Sequence, residues 1–163
     1  MPDFEMLIRK GKYREAAKAL DAEMAKKESD RLYYLRAIVS YKLKNYEYAM
    51  EMVEHALFLK KEPDYLKLKG LMLMETLDFG AAFEAFSQVI KMRKDAEAYF
   101  LSSVCLMFLD DARSKDYLQL AYLSDRARTK SLINEFYTDF FKNNRFIGEK
   151  EKRALEEKIK KVK

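Results

Sequence analysis

Tyr13, Tyr46 and Phe79 lie 33 residues apart, and each is followed three residues later by Ala (Ala16, Ala49, Ala82) and four beyond that by a larger apolar residue (Leu20, Val53, Phe86). A fixed period of this size marks repeated supersecondary units. Each unit is too small to bury its apolar face alone, and stacking joins them into one continuous core. Such a chain works through the surface that its stacked units present. The period therefore argues for binding and against most catalytic architectures, without naming what is bound.

The units are expected to be helical. Only two prolines and four glycines interrupt 163 residues, and the abundance of Ala, Leu, Glu and Lys favours helix. Apolar residues recur at helical spacing, as in Tyr34, Ile38, Tyr41 or Phe83, Phe86, Val89, Ile90, with short polar breaks between the stretches. Breaks near Lys10–Lys12, Glu28–Asp30, Lys44–Asn45, Lys61–Asp64, Leu77–Asp78, Lys94–Asp95, Asp110–Asp111, Arg128–Thr129 and Asn143–Gly148 predict about ten helices of roughly 12–17 residues, antiparallel to their neighbours. Asp30, Asn45, Asp78 and Asp95 are predicted to accept hydrogen bonds from free N–H groups at helix starts. Pro63 followed by Asp64 stops one helix and opens the next.

These residues resemble tetratricopeptide repeats, in which each unit of about 34 residues is a pair of antiparallel helices, A and B. The third unit carries the pattern best, with Leu66, Gly70, Leu73, Phe79, Ala82, Phe86 and Val89; the second gives Tyr33, Ala37, Tyr46, Ala49, Val53 and Ala56. Small residues at Ala37 and Gly70 let helices A and B approach, and those at Ala49 and Ala82 receive the next unit. The first helix A is cut short by the start of the sequence, although Gly11, Tyr13, Ala16 and Leu20 keep the helix B pattern. The fourth unit keeps Tyr99 and Ser103 in helix A, but Ala112 and Lys115 stand one period after Phe79 and Ala82, so its helix B diverges. Thr129–Asn143 would stand where a fifth helix A belongs, with Phe136 at a small-residue position. It reads as a terminating helix. A last helix with Leu155, Ile159 and Val162 on a narrow apolar stripe would cap the array. The resemblance implies an all-α, right-handed α-α superhelix of about three and a half units over residues 1–128, closed by capping helices and a basic tail over 129–163.

In this family the A helices line the concave groove. Carried over by register, the predicted partner-binding residues are Tyr34, Ile38, Tyr41, Lys42, Lys67, Leu71, Met74, Phe100, Val104, Met107 and Phe108. This face is aromatic and apolar, with Lys42 and Lys67 placed to orient a partner. Peptide-binding members that grip a C-terminal carboxylate use Lys and Asn at these positions, and the apolar residues here argue against such a clamp. Three occupants stay open: an apolar or amphipathic segment of a protein partner, a second copy of the chain in a homodimer, or the chain's own Ile133–Phe146 segment. The expected function is that of a non-catalytic protein-interaction scaffold, with a self-occupied homodimer or a weak nucleic-acid binder as alternatives.

Catalytic and metal chemistry finds little to work with. His55 is the only histidine and Cys105 the only cysteine, so one chain can form no His pair, no cysteine zinc cluster and no internal disulfide. His55 reads as a surface imidazole and Cys105 as a small buried hydrophobe. No Gly-rich phosphate loop occurs, and no enzyme activity, metal or cofactor is expected. The net charge of +5 sits in the tail: Lys142–Lys163 holds 9 basic and 4 acidic residues, and the remainder is balanced. Nucleic-acid binding would have to use that tail, and would weaken steeply with salt. The N-terminus lacks the features of a secretory signal, and no apolar run approaches the ~20 residues of a membrane span. A cytoplasmic location is expected.

Overall fold

The computed structural model describes residues 3–142 and 148–162. Among these residues are ten α-helices and no strand: α1 (Phe4–Arg9), α2 (Tyr13–Met24), α3 (Asp30–Lys42), α4 (Tyr46–Leu59), α5 (Pro63–Glu75), α6 (Phe79–Met92), α7 (Ala96–Phe108), α8 (Ser114–Ser124), α9 (Arg126–Phe136) and α10 (Glu149–Val162). A π-helical turn, Tyr137–Lys142, continues α9. The chain divides into two compact units, Met1–Arg93 and Lys94–Lys163. Three hairpins, α1/α2, α3/α4 and α5/α6, make up the first. In the second, α7 and α8 form a hairpin and α9 packs on both. The division by compactness thus falls one hairpin before the repeat boundary expected at residue 128, because the fourth hairpin shares its core with α9.

The 33-residue period is a property of the backbone as well as of the side chains. Each hairpin turns through one residue with positive φ: Gly11 (71°), Lys44 (63°), Leu77 (63°) and Asp110 (55°). Behind each, the next N–H reaches back across the end of the A helix, from Lys12 to the Leu7 carbonyl, Asn45 to Ser40, Asp78 to Leu73 and Asp111 to Leu106, all at 2.9 Å. These bonds satisfy carbonyls that a helix end otherwise leaves without partners. Only the first turn uses glycine, the residue that adopts this conformation without steric cost.

The small residues of the B helices lie where the repeat pattern requires. Ala16, Ala49 and Ala82 are fully buried, as are Leu20, Val53 and Phe86. Tyr13, Tyr46 and Phe79 open α2, α4 and α6 and are half-buried. The need for glycine at position 70 is steric, since a Cβ there would lie 2.5 Å from Cε1 and 2.6 Å from Cζ of Phe86. One period earlier the same core holds Ala37 with Val53. The larger ring of Phe86 therefore goes with the smaller residue opposite.

Polar contacts join successive hairpins within the first unit. Arg36 on α3 donates to Asp21 on α2 (2.6 Å) and to the Ser40 hydroxyl (2.7 Å), with its guanidinium 4.9 Å from the Tyr48 ring centroid. One period on, Lys69 on α5 pairs with Glu54 on α4 at 2.6 Å. A further period brings serines to both positions, and the hydroxyls of Ser87 and Ser102 are each buried without a hydrogen-bond partner.

The fourth hairpin keeps its A helix in register, with Leu101, Cys105 and Leu106 buried. Its B helix starts late. The Asp111 carboxylate accepts from the Arg113 N–H at 2.9 Å and holds the Arg113 guanidinium at 2.8 Å, so α8 begins at Ser114 and not directly after Asp111. Ala112 and Lys115, one period after Phe79 and Ala82, are exposed, whereas Ala121 is buried and Tyr117 meets Tyr99 at 6.2 Å.

Two expected helix starts are corrected. Asn45, Asp78 and Asp95 cap α4, α6 and α7, but Ser29 is the N-cap of α3 and makes no side-chain bond there. Asp30 instead accepts the Tyr65 hydroxyl at 2.7 Å. The break expected at Arg128–Thr129 falls at Asp125, which accepts from the Arg128 N–H at 2.9 Å; Phe136 is therefore the last residue of α9. Helices α2–α10 span 11–14 residues, at the short end of the range expected, and α1 has 6. The side chains of Leu155, Ile159 and Val162, and with them the predicted capping stripe, lie outside the described residues.

Candidate functional site

The face shared by α3 and α5 is the most organised part of the predicted binding surface. Tyr34, Ile38 and Tyr41 recur at i, i+4 and i+7 on α3 and lie along one stripe. Tyr34 packs on Tyr65 of α5 with ring centroids 4.5 Å apart. At one end of the helix pair Tyr65 donates its hydroxyl to Asp30; at the other, Tyr41 donates to Glu75 at 3.0 Å. Two tyrosine–carboxylate bonds, one in each direction, thus fix α3 against α5. Hydrogen bonds to charged acceptors of this kind are worth about 1.5–3 kcal/mol net. Burial, reinforced by the Glu75 carboxylate, pushes the Tyr41 phenol well above the usual tyrosine range. Burial and the bond to Asp30 do the same at Tyr65.

Between these bonds lies a half-buried strip of Tyr34, Ile38 and Leu71. Lys67 stands beside it, 4.0 Å from Asp64, and Asp64 is also held by Arg93 at 2.8 Å. Lys42 is exposed at the C-terminal end of α3. Seven of the predicted contact residues, Tyr34, Ile38, Tyr41, Lys42, Lys67, Leu71 and Met74, therefore lie on two neighbouring helices of the first unit.

Three of the predicted contact residues are corrected by their burial. Met74, Phe100 and Val104 are 3%, 5% and 5% exposed, so they serve as core and offer no area to a partner. Phe100 meets the ring of Phe136 edge-on at 6.0 Å, which places a residue of the chain's own Ile133–Phe146 segment over that position. Residues 143–146 of the segment lie outside the described residues. Met107 and Phe108 remain exposed at the end of α7, at 40% and 39%. The sequence places Asp30 only as a helix-start acceptor and Glu75 only as a groove-facing residue, and anticipates neither the Tyr65–Asp30 nor the Tyr41–Glu75 pairing. Their signal was the occurrence of Tyr and a carboxylate about one period apart, as in Asp30 with Tyr65 and Tyr41 with Glu75.

The single cysteine and the single histidine lie apart from this face, Cys105 on α7 and His55 on α4. Cys105 is fully buried, at the position held by Val39 and Met72 in the two preceding A helices. Burial pushes its thiol up to about 12, which keeps it protonated and unreactive at neutral pH. His55 is exposed and stacks on Tyr33 at 4.6 Å. Among the described residues no group of three or more His, Cys, Asp or Glu side chains could hold a metal ion. No helix among them is long and apolar enough to cross a membrane.

No family model matches the chain, and no curated protein does. Solved structures do match. A crystal structure of MamA is 12% identical with a TM-score of 0.74, the match covering 99% of this chain and 93% of that one. A MamA RS-1 double mutant is 17% identical (TM-score 0.73; 98% and 88% covered). MamA 41-end from Desulfovibrio magneticus RS-1 is 18% identical (TM-score 0.71; 98% and 88% covered). At such identities the likeness speaks to the fold alone. MamA is a tetratricopeptide-like protein, and this chain has the same all-α tetratricopeptide-type fold.

Proposed function

We propose that the chain is a non-catalytic protein-interaction scaffold that holds an apolar or amphipathic peptide segment against the α3–α5 face of its first unit. The observation that carries this reading is the half-buried strip of Tyr34, Ile38 and Leu71 between the Tyr65–Asp30 and Tyr41–Glu75 bonds. Side chains already fixed in the free protein spare a complex about 0.5–1.5 kcal/mol of ordering each. Aromatic and branched apolar groups supply contact area, and Lys42 orients the partner by charge.

The test is selection of peptides from a displayed random library against the folded chain. Enriched peptides should carry apolar anchors at helical or alternating spacing. Ile38→Ala combined with Leu71→Ala should weaken their binding at least tenfold while the circular dichroism spectrum stays unchanged, and added salt should have little effect. Enriched peptides without apolar residues, or binding indifferent to the double substitution, would overturn the reading. Steeply salt-sensitive binding would move the site to the basic tail.

A further inference from the structure

We draw no further inference here: the strongest candidate, the surface patch of Phe58 and Leu59 at the C-terminal end of α4 with Met92 one period later, carries nothing because the neighbouring Lys60 and Arg93 are offset by Glu62 and Asp64 and nothing in the structure shows what covers it.

Discussion

Replacing Gly70 by Ala should destabilise the chain, although Ala is the better helix former. Gly70 lies inside α5, where exchange for Ala gains about 1 kcal/mol of helix propensity. The new methyl would stand 2.5 Å from Phe86 Cε1, whereas ordinary contacts of this kind run at 3.4–4 Å. The ring cannot yield, because Phe86 is fully buried and close-packed cores transmit such strain. Overpacking of this severity belongs at the upper end of the usual range, about 3 kcal/mol. The net loss is about 2 kcal/mol, or a fall in melting temperature of about 4–8 °C for a chain of this size. Thermal and urea unfolding followed by circular dichroism measure it. A second arm uses the repeat itself. Phe86→Val alone should leave a cavity and cost about 2–3 kcal/mol, but Gly70→Ala with Phe86→Val recreates the Ala37–Val53 pair of the preceding hairpin. The double variant should therefore be more stable than the sum of the single changes predicts, by at least 1 kcal/mol. A Gly70→Ala protein that melts at or above the parent, or additive losses in the double variant, would refute the steric argument.

Leu77 holds φ at 63° and is mostly exposed, so Leu77→Gly should stabilise the chain by about 1 kcal/mol through relief of the left-handed strain; Leu77→Ala, which keeps that strain, should not. The raised pKa values of Tyr41 and Tyr65 predict loss of stability in alkali. An unfolded tyrosine releases its proton near pH 10 and these folded ones only at higher pH, so stability is complete below about pH 10 and falls as pH rises beyond it. Urea titrations across that range should show the fall, and Tyr41→Phe should make it shallower. Cys105 should resist a thiol reagent at about pH 8 in the native protein and react fully once denatured; a fast native reaction would mean that the core around α7 is open.

Much of the fold was legible because a repeat tests its own reading. Ala16, Ala49 and Ala82 specify one packing position three times over, and all three are buried. The same logic failed at residue 112, where α8 begins only at Ser114, after the local Asp111–Arg113 contact, and Ala112 and Lys115 are exposed. Asp30 illustrates a different limit. Its side chain could cap α3 or accept a partner from afar, and only the arrival of Tyr65 from 35 residues away decides between them. The candidate site was legible in part, since helix spacing put Tyr34, Ile38 and Tyr41 on one stripe of α3 but could not show how deep each residue of the other A helices would sit.

The sequence by itself determined the unit, its period and its helices, because those follow from local spacing, from small residues at fixed intervals and from the few interruptions by Gly and Pro. Tertiary structure decided which A-helix residues remain available to a partner. Phe100 and Val104 occupy the groove positions of the family pattern, yet they are buried, and Phe100 is covered by Phe136 of α9, a helix whose sequence does not repeat the motif. Burial depends on what packs against a surface from a distance, and no periodicity within a helix encodes it.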